Sequence, residues 1–179
     1  MSKPVSEYLT ATRQFFGDGE YWLHLPLRQA VEFERPERGR TISSIYGQLL
    51  DGFVEMEGGK IKLLGTSAVS ASVINEVVRL GLIGGDSGPE DADGDTGVGP
   101  KRAESLVKLY GYPSRPIEEV GAVAFRLLHA AIYGDPTQRE ALPEQAAESD
   151  AANQAISKQA GELFRPKRRA KAERPVSAE

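Results

Sequence analysis

The chain has 179 residues, 22 Lys and Arg against 26 Asp and Glu, a net charge of −4 and no cysteine. That length supports one domain with a real core plus an extension, and the missing cysteine excludes disulfides, thiol nucleophiles and Cys-ligated metals and suits a reducing cytoplasm. The mild negative charge argues against bulk nucleic-acid binding; no run approaches the ~20 apolar residues of a bilayer span, and Met1 to Gly17 lacks a basic start followed by an apolar run, so a soluble cytosolic chain with no membrane partner is expected.

The first element reads as a β-hairpin. Leu9 to Phe16 mixes Thr and Phe, which favour strands. Gly17-Asp18-Gly19 supplies a turn. Glu20 to Leu25 alternates, with Tyr21, Leu23 and Leu25 on one face and Trp22 and His24 on the other. An isolated hairpin is marginal in water, so this one must pack on helices or gain strands from a partner.

Pro26 suits the first position of a short helix, where its missing N–H costs nothing. Leu27, Ala30, Val31 and Glu34 follow at helical spacing, and Pro36 stops the helix. After the polar loop Arg35 to Arg40, Thr41 or Ser43 caps the next helix, whose face is Ile42, Ile45, Tyr46 and Leu49 and whose end is Gly52. Phe53 to Leu64 is the least determined stretch; Val54, Met56, Ile61 and Leu63 around Gly58-Gly59 fit a second small hairpin.

Ser67 is placed to cap a third helix with a stripe of Val69, Val73, Val77 and Leu80. Gly81 reads as its left-handed C-terminal residue, with Leu82 folding back. Asp86 to Gly99 is an acidic, Gly-rich segment expected to be a mobile loop. Gly99-Pro100 restarts a helix with the stripe Ala103, Leu106, Val107 and Tyr110, ended by Gly111 and Pro113.

The strongest helical pattern follows Ser114-Arg115-Pro116. Glu118 and Glu119 lie in its first turn, where the helix dipole favours them. Ile117, Val120, Ala124, Leu127, Leu128 and Ala131 recur at steps of three and four until Gly134-Asp135-Pro136. This stripe is expected to form the core with Val73, Val77, Leu106 and Tyr110. Beyond Asp135 the composition turns to Ala, Gln and Glu. It allows a weak helix from Gln154 to Phe164 but no core.

Candidate chemistry is sparse. Asp91-Ala92-Asp93-Gly94-Asp95 resembles the start of a calcium loop, but the sixth position is Thr96 and the twelfth is Arg102. A calcium loop needs Gly and a bidentate Glu there, so a solvated acidic loop is the better reading. Leu82-Ile83-Gly84-Gly85 follows a helix and precedes no Gly-Lys-Ser/Thr, the wrong context for a phosphate cradle. His24 and His129 belong to no metal spacing and read as ordinary surface or boundary residues. Trp22, Tyr110 and Tyr112 read as core or boundary residues; an exposed one becomes an anchor for a partner. Arg165, Lys167, Arg168, Arg169, Lys171 and Arg174 could grip phosphates, yet no aromatic residue is interleaved after Phe164, so base stacking is not expected. No residue is singled out as catalytic, metal-binding or cofactor-binding.

Five blocks in order carry a resemblance. They are Gly17-Asp18-Gly19-Glu20-Tyr21-Trp22-Leu23-His24-Leu25; Arg79-Leu80-Gly81-Leu82-Ile83-Gly84-Gly85; Ala103 to Tyr110; Arg115-Pro116-Ile117-Glu118-Glu119; and Ala130-Ala131-Ile132-Tyr133-Gly134. Together they resemble the tail-assembly chaperone family of gene transfer agents and related siphophages, also described as a phage tail tube protein. The resemblance spans Gly17 to Gly134; the long linker Asp86 to Gly99 and the tail Asp135 to Glu179 depart from it. It implies a non-enzymatic protein without cofactors that transiently coats the tape-measure protein, recruits tail tube protein, self-associates side by side along its partner, and is absent from the finished particle.

The expected architecture is mainly α (α+β): a helical chaperone-like domain over 1–134 with an N-terminal β-hairpin, then a low-hydrophobicity, partly disordered, flexible tail over 135–179 with a basic end. The expected setting is the cytoplasm of a bacterial host. Two rival functions follow from the same residues. One is a structural tail component, tube or terminator, which would need an extensive sheet. The other is a small regulator that uses the basic tail on nucleic acid.

Overall fold

A short 3-10 turn, Val5–Glu7, precedes a hairpin whose turn is set by Gly17. In a computed structural model, which describes residues 4–36, 39–56, 60–63 and 69–141, strands β1 (Thr12–Phe16) and β2 (Gly19–Leu23) pair antiparallel with Phe16 opposite Gly19 and Thr12 opposite Leu23. Only Gly17 and Asp18 join them. Gly17 takes φ +68°, as the first central residue of a type II′ turn must. Alternation then sorts the side chains. Thr12, Phe16, Tyr21 and Leu23 are buried, while Arg13 and Glu20 form a 2.7 Å ion pair on the outer face beside exposed Phe15.

Six α-helices lie among the described residues, so the protein is mainly helical with an N-terminal two-stranded hairpin. They are α1 (Leu27–Phe33), α2 (Ile42–Gly52), α3 (Ala71–Gly85), α4 (Pro100–Tyr110), α5 (Ile117–Tyr133) and α6 (Pro136–Ala141). The described residues belong to one compact unit, Met1–Pro143. Strands β3 (Phe53–Met56) and β4 (Lys60–Leu63) pair as the second small hairpin expected from Val54, Met56, Ile61 and Leu63; Gly58, Gly59 and the expected cap Ser67 lie outside the described residues. So do the expected weak helix from Gln154 to Phe164 and the basic end.

The core gathers on α3 and α5. Val77, Val78, Leu80 and Leu82 of α3 and Ala124, Leu127 and Leu128 of α5 are fully buried. They meet Tyr21 and Leu23 of the hairpin, Ile45 and Leu49 of α2, and Ala103 and Leu106 of α4 in one cluster. Each large aliphatic side chain so buried stabilises the fold by roughly 1.5–3 kcal/mol. The expected stripe of α5 is therefore in place, with Ile117 and Ala131 packed at its margins. Helix α2 starts on Thr41: Thr41 Oγ1 accepts the Ser44 N–H and Ser44 Oγ accepts the Thr41 N–H, both at 3.1 Å. This reciprocal cap satisfies two otherwise orphaned donors.

Three expectations are corrected. First, α3 is shifted along the chain: its N-cap is Ser70 and not Ser67, Val69 precedes it, and it does not stop at Gly81. It continues to Gly85, and the left-handed residue is Asp86 (φ 42°). The glycines serve close packing instead. A Cβ on Gly81 would run into the Leu127 side chain, one on Gly84 into the His24 carbonyl and the Pro26 ring, and one on Gly85 into the Trp22 carbonyl. Bare backbone there lets β2 lie directly on the helix, where Gly81 O accepts the His24 N–H at 3.0 Å. Second, α1 buries Gln29 and Phe33, whereas Leu27 and Val31 are exposed. The Phe33 ring outbids the smaller pair for the core and carries the Arg40 guanidinium 4.2 Å above its centre. Third, the short helix α6 begins at Pro136, inside the stretch expected to be a flexible, partly disordered tail.

No helix among the described residues is long and apolar enough to cross a membrane.

Candidate functional site

Two adjacent phenylalanines in a strand must point to opposite faces. Phe16 enters the core and Phe15 is left 67% exposed. Beside Phe15 the hairpin tip meets the end of α4 and the start of α5. There Phe16 and Tyr110 contact edge to face with ring centroids 6.3 Å apart. Gly17 has a second use at this point, since a Cβ on it would collide with the Tyr110 ring.

These three elements enclose a cleft of about 290 Å³ lined by Phe15, Phe16, Gly17, Tyr110, Arg115, Glu119, Val120 and Val123. Its floor is apolar: Phe16 and Val120 are buried, and Tyr110 and Val123 pack against the core. Its rim carries one cation, Arg115, and one anion, Glu119, both exposed. The volume sits at the lower edge of the roughly 300–1,000 Å³ usual for small-molecule pockets. It suits one or two apolar side chains offered by another chain, with polar groups of either sign beside them.

The residues singled out from sequence do not converge on this cleft. His24, read as a surface or boundary residue, is buried. Its Nε2 lies 3.0 Å from Thr10 Oγ1, and its ring stacks on Tyr8 with centroids 4.8 Å apart. Burial pulls its pKa below the ordinary histidine value. It borders a depression of about 500 Å³ with Pro4, Val5, Tyr8 and Pro26. His129 is half-buried on α5, with Nδ1 2.9 Å from Tyr46 Oη, inside a ring cluster with Phe125 and Tyr133. Trp22 and Tyr110 are boundary residues, as expected, and Tyr112 is 45% exposed.

The Asp86–Gly99 loop, expected to be mobile, is held by a definite bond network. Its organiser is Arg102, at the position where a calcium loop would need a Glu. Arg102 donates to the carbonyls of Asp95 (2.7 Å), Gly97 (3.1 Å) and Pro89 (2.5 Å) and lies 3.6 Å from the Asp91 carboxylate. Asp91 Oδ1 accepts the N–H groups of Asp93 and Asp95. Those backbone bonds, more than Arg102, hold the Asp91 carboxyl below its ordinary pKa. Asp86 Oδ1 accepts the Val98 N–H, and Val98 is fully buried. Tyr21 donates to Asp18 at 2.6 Å; burial and that bond push the phenol up to about 12. No group of three or more His, Cys, Asp or Glu among the described residues is arranged to hold a metal ion.

The sequence reading missed Phe15, Arg115 and Glu119 as a site. The Phe15-Phe16 doublet carried the signal for an outward aromatic; nothing local tied it to α4 and α5. Comparisons with protein-family models, curated proteins and solved structures return no match.

Proposed function

We propose that this chain is a tail-assembly chaperone of a siphophage or gene transfer agent, sheltering the tape-measure protein until tail tube subunits replace it. The observation that carries the reading is the small cleft with an apolar floor, a mixed-charge rim and the exposed Phe15 at its edge. A tape measure is a long amphipathic helical chain, prone to aggregate when bare. A protein that covers it must dock against successive apolar side chains and later release them. A shallow cleft does that better than a deep pocket, because few rotamers are frozen and little area is buried per contact. Arg115 and Glu119 on the rim face the polar flank of such a helix with either charge. The five sequence blocks that resemble the chaperone family add support, and on this reading the chain works in the host cytoplasm and leaves the assembly before the particle is complete.

Co-purification with the tape-measure protein encoded in the same genome tests the proposal. The wild-type chain is expected to bind, and Phe15→Ala to weaken binding by about 2 kcal/mol, roughly thirtyfold in Kd, as an exposed aromatic anchor does. Absence of any complex under assembly conditions removes the proposal. Mass spectrometry of purified particles is the second check: the chain is expected to be missing, and its presence in stoichiometric amounts makes it a structural tail component instead.

A further inference from the structure

The two edges of the hairpin are treated differently. On β2, the Trp22 N–H donates to Ser87 O and the His24 N–H to Gly81 O, both at 3.0 Å. The outer edge of β2 is therefore closed by the end of α3 and the loop after it. Arg13 is the partner of Trp22, and Phe15 that of Glu20. Because Trp22 turns its N–H away from β1, its partner Arg13 turns its own N–H and C=O away from β2, and so does Phe15 two residues on. No backbone hydrogen bond reaches either residue on that side among the described residues. Both side chains are well exposed, Arg13 at 61% and Phe15 at 67%. The edge carries no proline and no bulge, two of the devices that keep strands from pairing; its five-residue length and the charge of Arg13 limit the strength of any pairing without blocking it.

We infer that the β1 edge pairs antiparallel with the β1 edge of a second copy of this chain, around a twofold axis at Gln14. The sequence itself selects this register. Pairing centred on Arg13 sets two arginines directly opposite, which is repulsive. Pairing centred on Phe15 runs Arg13 against Gly17, already bent into the turn at φ +68°. Centring on Gln14 places Arg13 opposite Phe15 of the other copy, twice. It forms two double hydrogen-bonded pairs and leaves no like charges in contact, since each Arg13 keeps its own Glu20. The result is a four-stranded sheet, β2-β1-β1-β2. Only five residues per copy take part, so the association is weak and reversible. This inference concerns self-association and rests on the chaperone reading only for its purpose: a twofold contact closes at a dimer, and a dimer that forms and breaks offers its partner two docking surfaces at once. The experiment below contains no tape-measure protein, so its outcome is independent of that reading.

The chain has no cysteine, which makes single-thiol variants clean probes. In the proposed register Gln14 faces its own copy as a non-hydrogen-bonded pair, where Cα atoms approach to about 4.5 Å and a disulfide fits. Oxidised full-length Gln14→Cys is expected to form a disulfide dimer about tenfold faster than Lys101→Cys, an exposed residue in the first turn of α4. Sedimentation velocity over rising protein concentration gives the second readout. Wild type is expected to shift toward dimer. Arg13→Pro, which removes an outward N–H without touching the ladder to β2, is expected to stay monomeric, and Arg13→Ala, which keeps that N–H, to behave as wild type. Equal cross-linking rates at the two cysteine positions, a wild-type chain that stays monomeric throughout, or an Arg13→Pro chain that dimerises as wild type overturns the inference.

Discussion

Gly85→Ala tests the packing of α3 on the hairpin, because two physical rules give it opposite signs. Helix propensity alone makes the change stabilising by up to about 1 kcal/mol. The structure says otherwise. A Cβ on Gly85 would lie within the contact radius of the Trp22 carbonyl and stand 3.0 Å from the Leu23 nitrogen. These obstacles are backbone, fixed in the β1–β2 ladder by Leu23 pairing with Thr12, and no rotamer change relieves them. Overpacking of this kind costs about 1–3 kcal/mol; with an unyielding neighbour the upper end applies. At about 2–4 °C per kcal/mol for a chain of this size, a loss of about 3 kcal/mol lowers Tm by roughly 6–12 °C. Gly47→Ala is the matched control. Gly47 lies within α2, and a Cβ there meets nothing within 4 Å, so this change is expected to stabilise by about 0.5–1 kcal/mol. Thermal melts followed by circular dichroism, with urea titrations alongside, read both. A Gly85→Ala protein that melts at or above the wild-type temperature refutes the packing role given to the glycines.

The same packing and bonding carry further expectations. Leu127→Ala removes a fully buried side chain between α3 and α5 and is expected to cost about 2–5 kcal/mol in urea unfolding; a cost below about 1 kcal/mol would mean that this interface is not the core. Phe15→Ala should leave stability within about 0.5 kcal/mol, so that any lost binding is not lost folding. Arg102→Met keeps the stem but strips the carbonyls of Pro89, Asp95 and Gly97 of their shared donor; hydrogen exchange across Asp86 to Gly99 should accelerate while that of α5 is unchanged. His24 gives a pH signature. Its folded pKa lies below the ordinary 6.5, so the unfolded chain takes up the proton first. The stability from the neutral ring is complete above 6.5, is lost as pH falls from there through the folded pKa, and is level below it. The wild-type loss over that window should exceed that of His24→Gln; parallel pH curves for the two proteins would exclude His24 as a source.

How much of this was legible depended on whether local pattern and tertiary need agreed. Along α5 they agreed: seventeen residues of unbroken periodicity make the buried face almost independent of what it packs against. On α3 they conflicted. Gly81, Gly84 and Gly85 look like a helix end when only the local chain is considered, because glycine favours left-handed caps. Their use as a smooth surface becomes visible only once β2 is laid across them. On α1 the stripe of Leu27 and Val31 and that of Phe33 compete over barely two turns, too short for periodicity to choose. The cleft was half legible. Phe15 had to face outward once Phe16 faced inward, but its meeting with Tyr110, Arg115 and Glu119 joins residues about a hundred positions apart, and no local rule reaches that far. The same holds for Arg102: its misfit in a calcium loop was plain, its actual place among the loop carbonyls was not.

That arginine has a consequence of its own. Acidic loops that do bind calcium are folded by an ion that must be captured from solution, at whatever level the surroundings supply. Here the positive charge is tethered to the first turns of a neighbouring helix. It arrives in fixed stoichiometry, cannot diffuse off, and cannot be stripped by a chelator. The segment can therefore take its form as soon as that helix does, and treatment with EDTA should leave its exchange pattern as it was.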